Sequence, residues 1–493
     1  MKTTRLIIYT LGFSFTLGLS SCEDFLDLQP ISQETSETAY QTASQLEGAL
    51  TGTYETFQSS QYYAWDFVVY QDIRSDNAYA GGDNAEIFTT DKLTITTTDT
   101  RVYSAWSSIY NGILKANTVL EKAPAVTDIS LTEERRAQIM GEAAFLRAYH
   151  YYNLVKLFGG VPIIITPTSS TDPAETDLPR NTEEEVYAQI ITDLEYALDN
   201  RLPDSYGSDA TVNKARATKG AANALLATVY AQMPTPDYNK VLEYTNAVIN
   251  SPAGYTLLTN YDFLFDGNHY NNDESIMEVQ YTGGNEGSWG PQMHLPPSLS
   301  GDTWRKFTTP SHDLVNAFDA EGDDVRKNST IFWEEAPWAD EYWSNQVGSE
   351  IPFAYKWRNA MGWASTDRPY IFRLGDIILL KAEALNELNR PSEAATEVNK
   401  IRARVDLDDI TTTSQEQMRE VILKERRLEL ALEGRRWDDL VRYGKAIEVM
   451  NNLNEIDLRT GTATNYNATE ADLLLPIPQQ EINRNPNLTQ NPL

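Results

Sequence analysis

The 493 residues are 41% apolar and 23% charged and include 27 Tyr, 15 Phe and 10 Trp, a composition that excludes a disordered chain and supplies a sizeable core. Forty Lys and Arg stand against 71 Asp and Glu, a formal charge of -31, which argues against nucleic acid as a partner because phosphate binding needs a basic face.

The N-terminus reads as an address. Lys2 and Arg5 precede Leu6 to Leu19, a run of 14 uncharged residues that is shorter than the ~20 a spanning helix needs. It closes on Leu19-Ser20-Ser21-Cys22, and Cys22 is the only cysteine. A bacterial lipoprotein signal peptidase expects this order, so residues 1–21 are predicted to be a signal peptide and Cys22 the lipidated first residue of the mature chain. No disulfide can form within the chain. Each buried methylene of an acyl chain contributes ~0.8 kcal/mol and one chain alone is marginal, so a multiply acylated Cys22 predicts a protein that is anchored rather than spanning.

Helical periodicity is expected over about 30–60, 102–250 and 372–450. Ile139, Ala143, Leu146, Leu154 and Leu157 keep a 3.6 period, and Ser130-Leu-Thr-Glu133 before them reads as a capping box. That helix stops at Phe158-Gly159-Gly160-Val161-Pro162, and a second opens at Thr182-Glu-Glu-Glu185 with Val186, Ile190, Leu194 and Leu198 on one face. Lys214 to Gln232, with Ala217, Ala221, Ala224 and Ala227 at close-packing spacing, precedes Tyr238 to Asn250; Leu374 to Asn389 precedes Ser392 to Arg404. A fourth pair is expected from Gln415 to Glu433 and the helix after Gly434. Small residues at this spacing, followed by a turn and a second helix, predict a mostly α fold of four tetratricopeptide-like pairs in a superhelical scaffold. An irregular helical bundle is the alternative.

Two stretches break the pattern. From about 251 to 371 the chain is rich in Gly, Pro and aromatics with short strand-like runs such as Ser275 to Tyr281, and seven of the ten Trp fall there; a second irregular stretch runs from about 62 to 98. Long loops in compact proteins are usually functional, so these two form the expected ligand-binding subdomain, with a C-terminal tail from 451 to 493.

Chemistry-bearing motifs are mostly missing. There is no phosphate-cradling loop, no nucleophile elbow and no Cys-x-x-Cys, and the four histidines are scattered. Glu425, Glu429 and Glu433, beside Arg426 and Arg427, read as salt-bridged helix packing rather than catalysis. Asp406, Asp408 and Asp409 form an acidic loop that reads first as a solvated turn, with a structural calcium site as the alternative; no other cofactor is expected. What remains is the aromatic surplus in loops. A Trp or Tyr ring lies against the apolar face of a pyranose while Asp, Asn and Arg bind its hydroxyls, and the acidic chain disfavours polyanions, so a neutral sugar suits this chemistry.

Several blocks resemble one family. Cys22-Glu-Asp-Phe-Leu-Asp27 is similar to the opening of SusD/RagB-type outer-membrane lipoproteins. So are Trp106 to Asn117, Gly141 to Ala148 through Pro162, Arg373 to Ala384, Glu425 to Leu440, and the tail Leu475-Pro-Ile-Pro478 with Asn485-Pro486 and Gln490-Asn-Pro492. The blocks follow the family's order from end to end. The resemblance implies a helical scaffold under an irregular binding face, no enzymatic activity, and a lipid tether to the outer surface of the outer membrane. It also implies a SusC-type TonB-dependent transporter as partner, over which the protein acts as a lid delivering glycans. Some relatives take up peptides, so an oligopeptide receptor of the same architecture is the alternative. The matching residues Trp106, Arg147, Arg373, Glu425, Arg435 and Trp437 are scaffold positions. Ligand contacts are expected from the variable loops: Asp72, Asp76, Asn77 and Tyr79, then Trp289, Trp338, Trp343 and Trp363. Trp304 and Trp357 read as packing residues.

Overall fold

A computed structural model describes residues 39–63, 70–167, 170, 172–199 and 201–493; the predicted signal peptide and Cys22 lie outside them. No helix among the described residues is long and apolar enough to cross a membrane.

Ten helices build the scaffold: α1 (Ala43–Tyr54), α2 (Thr100–Lys122), α3 (Glu133–Phe158), α4 (Glu183–Leu198), α5 (Lys219–Gln232), α6 (Tyr238–Ile249), α7 (Leu374–Glu387), α8 (Pro391–Ala403), α9 (Gln415–Glu429) and α10 (Arg436–Arg442). The longest, α3, lies between α2 and α4. Glu133 and Glu134 in its first turn and Lys156 in its last complement the helix dipole, and Gly159 at φ 71 ends it. From Ile139 onward nearly every side chain is buried, so α3 is the central rod. At Gly112 of α2 the His150 ring of α3 occupies the space a Cβ would need, which fixes the close approach of the two helices. Arg147 ties α3 to both neighbours, pairing with Asp193 of α4 at 2.6 Å and bonding Asn117 of α2 at 2.8 Å.

The pairs α3/α4, α5/α6 and α7/α8 pack as the periodicity predicts, and α6 bridges to α7. Alanine in α5 allows this: Ala221, Ala222, Ala224 and Ala227 are fully buried.

Three boundaries differ from expectation. Thr132, not Ser130, caps α3, accepting from the Arg135 N–H, while the Ser130 hydroxyl donates to Asp128. The chain breaks between Ala215 and Lys219, where Thr218 caps α5 afresh. The fourth unit is not a full hairpin: α9 ends at Glu429, Leu432 (φ 60) and Gly434 (φ 70) turn the chain, α10 is seven residues long, and α9 packs on α7 and α8. The positive φ at Leu432 and Gly434 keeps the chain between α9 and α10 out of helical geometry.

The two irregular stretches add short antiparallel pairs: β1 (Ala78–Ala80) with β3 (Thr308–Pro310), β2 (Ser275–Glu278) with β6 (Tyr370–Arg373), and β4 (Ile331–Glu335) with β5 (Glu350–Ala354). A buried ionic knot bolts the aromatic insert to the helices. Arg326, Arg373 and Arg404 converge on Glu429; Glu274 accepts from Arg373 at 3.1 Å and from Arg404 at 2.7 Å; Glu433 accepts from Arg373 at 2.8 Å and Lys356 at 2.6 Å. Burial alone would raise the Glu429 carboxyl, but the three guanidinium groups outweigh it and hold it well below the usual carboxylate range. The acidic stripe of α9 is therefore a structural bond between the two parts of the chain.

Candidate functional site

The 72–79 segment faces inward, which corrects the assignment of its four residues to a ligand surface. The Gly434 N–H donates to Asp72 at 3.1 Å. Asp76 accepts two 2.7 Å bonds from Arg436 and pairs with Arg427 at 3.2 Å. Arg427 donates to the Asn77 amide oxygen at 2.8 Å. Tyr79 stacks on Tyr342 with centroids 4.1 Å apart and bonds His312 at 2.7 Å. All four are at most 2% exposed, so the acidic and amide groups that suit sugar hydroxyls are buried in the scaffold and not offered to a ligand on the surface.

Two of these carboxyls titrate in opposite senses. At Asp76 burial is overcome by Arg427 and Arg436, which hold it down to about 2; its stabilisation is present above the unfolded value of ~3.9 and is lost as pH falls toward about 2. At Asp72 burial wins, with the Gly434 N–H opposing, and pushes it up to about 7. The folded chain then holds this proton more tightly than the unfolded one. Its contribution is full below about pH 4 and lost as pH rises through about 7. Asp72→Asn is expected to raise the unfolding midpoint at about pH 8 and to raise it much less at about pH 5; equal shifts at both, read by calorimetry, would contradict this.

Of the four predicted Trp, two are packing residues. Trp338 meets Phe353 edge-on at 6.1 Å, and Trp343 covers His312 at 3.9 Å, meets Trp333 edge-on at 5.1 Å and donates its indole N–H to the Pro310 carbonyl at 2.9 Å. Both are half-buried against the β4/β5 hairpin. The other two are exposed, Trp289 by 44% and Trp363 by 49%, and they adjoin, edge to face at 6.0 Å.

Their position follows from backbone contacts. Beyond the β1/β3 pair, the Gly81 N–H donates to the Phe307 carbonyl at 3.0 Å and the Phe307 N–H to Met293 at 3.1 Å. Gly82, at φ 73, lies so close on the Phe307 ring that a Cβ would collide. On the other side, Ser288 bonds Ser365 at 2.8 Å and Gly287 lies against the Ala364 backbone with no room for a side chain. These contacts draw three loops together around a cleft of about 330 Å³ lined by Gly82, Asp83, Met293, Trp304, Arg305, Phe307 and Trp363. Trp304, which the sequence reads as packing, is half-buried and nearly parallel to Trp363 at 6.1 Å and 11°. Trp304, Trp363 and Trp289 thus form one indole shelf, with Lys306 4.1 Å from the Trp304 ring and itself paired with Asp302 at 2.5 Å. Arg305 is ion-paired with Glu341.

The loop carrying Trp363 is pinned by Asp367, which accepts from the Asn359 N–H at 2.7 Å and the Tyr270 hydroxyl at 3.0 Å. A wider hollow of about 600 Å³ between α2 and the C-terminal tail is walled by Trp106, Tyr110 and Leu488, but its Trp is only 4% exposed and offers no open ring. Trp357 is half-buried, edge-on to Phe265. Among the described residues no group of three or more His, Cys, Asp or Glu is placed to hold a metal ion. Asp406, Asp408 and Asp409 are exposed in the turn after α8, where Arg402 binds the Asp408 carbonyl at 2.7 Å.

A mostly helical, tetratricopeptide-like scaffold carrying an open aromatic shelf on clustered loops is the class of protein these features define. The residues 24–231 match the family model described as starch-binding associating with outer membrane, and 273–493 match the SusD family model. The chain belongs to the SusD-like family. It is 29% identical to "SusD-like protein P2" of Formosa agariphila over 96% of this chain and 97% of the relative. Among solved structures, "Laminarin binding SusD-like protein" superposes with a TM-score of 0.74 at 28% identity, covering 92% of this chain and all of the other. A SusD superfamily protein from Bacteroides vulgatus gives a TM-score of 0.77 at 21% identity over 92% of this chain and 99% of its own, a likeness of fold.

Proposed function

We propose that this chain is a surface-exposed outer-membrane lipoprotein that captures oligosaccharide or polysaccharide, neutral glycans in particular, and passes it to a SusC-type TonB-dependent transporter over which it sits as a lid. The observation that carries this reading is the indole shelf of Trp304, Trp363 and Trp289, two of whose rings are about half exposed. Flat rings exposed in a concave site suit the C–H faces of pyranoses, and their exposure leaves apolar area for a ligand to cover. Arg305 and Lys306, the two cations at the shelf, are each paired with a carboxylate, which favours an uncharged ligand over a polyanion. The laminarin-binding neighbour supports the same ligand class. Capture is non-enzymatic in this reading. The tether is the diacylglyceryl thioether on Cys22, whose acyl chains supply the membrane affinity. Moderate affinity lets the lid release into the transporter, with effective concentration doing the rest.

Affinity electrophoresis of the chain through gels containing neutral or acidic polysaccharides, laminarin among them, tests this. Retardation by at least one neutral polysaccharide and by none of the acidic ones is expected. Retardation by acidic polysaccharides alone would overturn the neutral assignment, and binding of an oligopeptide panel with no retardation by any glycan would overturn the glycan reading.

A further inference from the structure

Beyond Trp289 the surface continues into a second hollow of about 360 Å³ with a different lining. The end of α1 and the turn after it contribute Glu55, Ser59 and Ser60, one face of α2 contributes Ser108 and Asn111, and the loop before Trp289 contributes Tyr281 and Asn285. Trp289 forms its rim, and Trp289 is in edge-to-face contact with Trp363, which lines the aromatic cleft. The two hollows therefore flank one pair of indoles. The cleft offers rings; this annex offers hydroxyls and amides.

The Tyr281 side chain points to a ligand. Its ring is 1% exposed and lies in the wall of the annex, and its hydroxyl, itself buried just behind that wall, has no hydrogen-bond partner among the described residues. A buried hydroxyl without a partner costs free energy that a bound polar group recovers. Burial pushes this phenol up from its ordinary value, so it is neutral at any physiological pH and both donates and accepts, as a sugar hydroxyl requires. The nearby cation, Lys115, faces Glu55 at 3.8 Å and donates to the Gly52 carbonyl at 2.9 Å, and Glu286 accepts from Thr282 at 2.7 Å. Lys115 is matched by Glu55 and Glu286 meets only the Thr282 hydroxyl, so the annex has no free cation to draw a polyanion and suits a neutral ligand.

On the reading of the shelf as a glycan site, we infer that the annex is a second subsite for the same neutral chain. A glycan stacked on Trp363 and Trp304 runs past Trp289 and places the hydroxyls of a further sugar unit against Tyr281, Asn111 and Asn285. The bound ligand is then an extended stretch of chain, and affinity rises with length until the annex is filled.

The test compares the disaccharide and the octasaccharide obtained from laminarin and from starch, titrated into the full chain in detergent solution. Tyr281→Phe, which removes a hydroxyl without a protein partner and leaves packing intact, and Asn111→Ala, on an exposed helix face, are measured beside Trp363→Ala. Each annex variant is expected to weaken the octasaccharide about fivefold, the value of one hydrogen bond, and to leave the disaccharide unchanged, while Trp363→Ala weakens both. Octasaccharide binding unaltered by either annex variant but weakened by Trp363→Ala would overturn the annex and keep the shelf. Failure of every oligosaccharide to bind the unaltered chain would overturn both.

Discussion

Replacing Glu429 by Gln is expected to destabilise the protein by about 3 to 5 kcal/mol, the usual consequence of removing one partner from a buried ion pair. Arg326, Arg373 and Arg404 all close on this carboxylate, and all four side chains are at most 3% exposed. The amide keeps the shape but drops the charge, leaving three guanidinium groups to share Glu274, Asp323, Glu425 and Glu433. The loss is structural and not local, because the knot joins the aromatic insert through Glu274, Arg326 and Lys356 to α8 and α9 through Arg404 and Glu429. Chemical denaturation should show a lower midpoint, with glycan affinity retained wherever the variant is folded. A change within about 1 kcal/mol, the range of exposed pairs, would show that the knot does not hold the two parts together.

Trp363→Ala is expected to do the reverse. The ring is half exposed and sits on the rim of the cleft, so its loss should alter stability by no more than about 0.5 kcal/mol. Removing the central ring of the shelf takes away apolar contact to a bound sugar, a loss of ~1 to 3 kcal/mol or a roughly five- to 150-fold rise in Kd. Calorimetric titration with the retained glycan, beside thermal unfolding, separates the two quantities. An unchanged Kd with a lowered midpoint would make Trp363 a packing residue.

The helical pairs are legible in the sequence because their signals are local. Val186, Ile190, Leu194 and Leu198 repeat within one helix, and Thr182 forms with Glu185 the capping box that opens it. Where the decisive contact is also local but the signal is weak, the reading slips by a turn, as at Thr218, whose hydroxyl restarts a helix the alanine pattern runs straight through. The site is less legible, since burial of a polar group depends on partners far away in the chain. Asp72, Asp76 and Asn77 meet Gly434, Arg436 and Arg427, at least 350 residues later. Nothing in a stretch rich in Asp and Asn announces that its side chains turn inward. The same holds among the tryptophans. Trp289 and Trp363 stand open while Trp343 spends its N–H on Pro310, a difference that β3 decides and the composition of the insert does not. Trp304 joins the shelf because the Phe307 and Met293 backbones bond across it, a contact with no sequence signature.

The most direct measurement is a titration of the retained glycan followed through the indole N–H resonances, assigned by single Trp→Phe variants. The shelf predicts that the signals of Trp304, Trp363 and Trp289 move together with the binding isotherm while those of Trp338 and Trp343 stay in place. Saturable binding that leaves the three shelf signals unmoved would put the glycan elsewhere on the molecule and contradict the site.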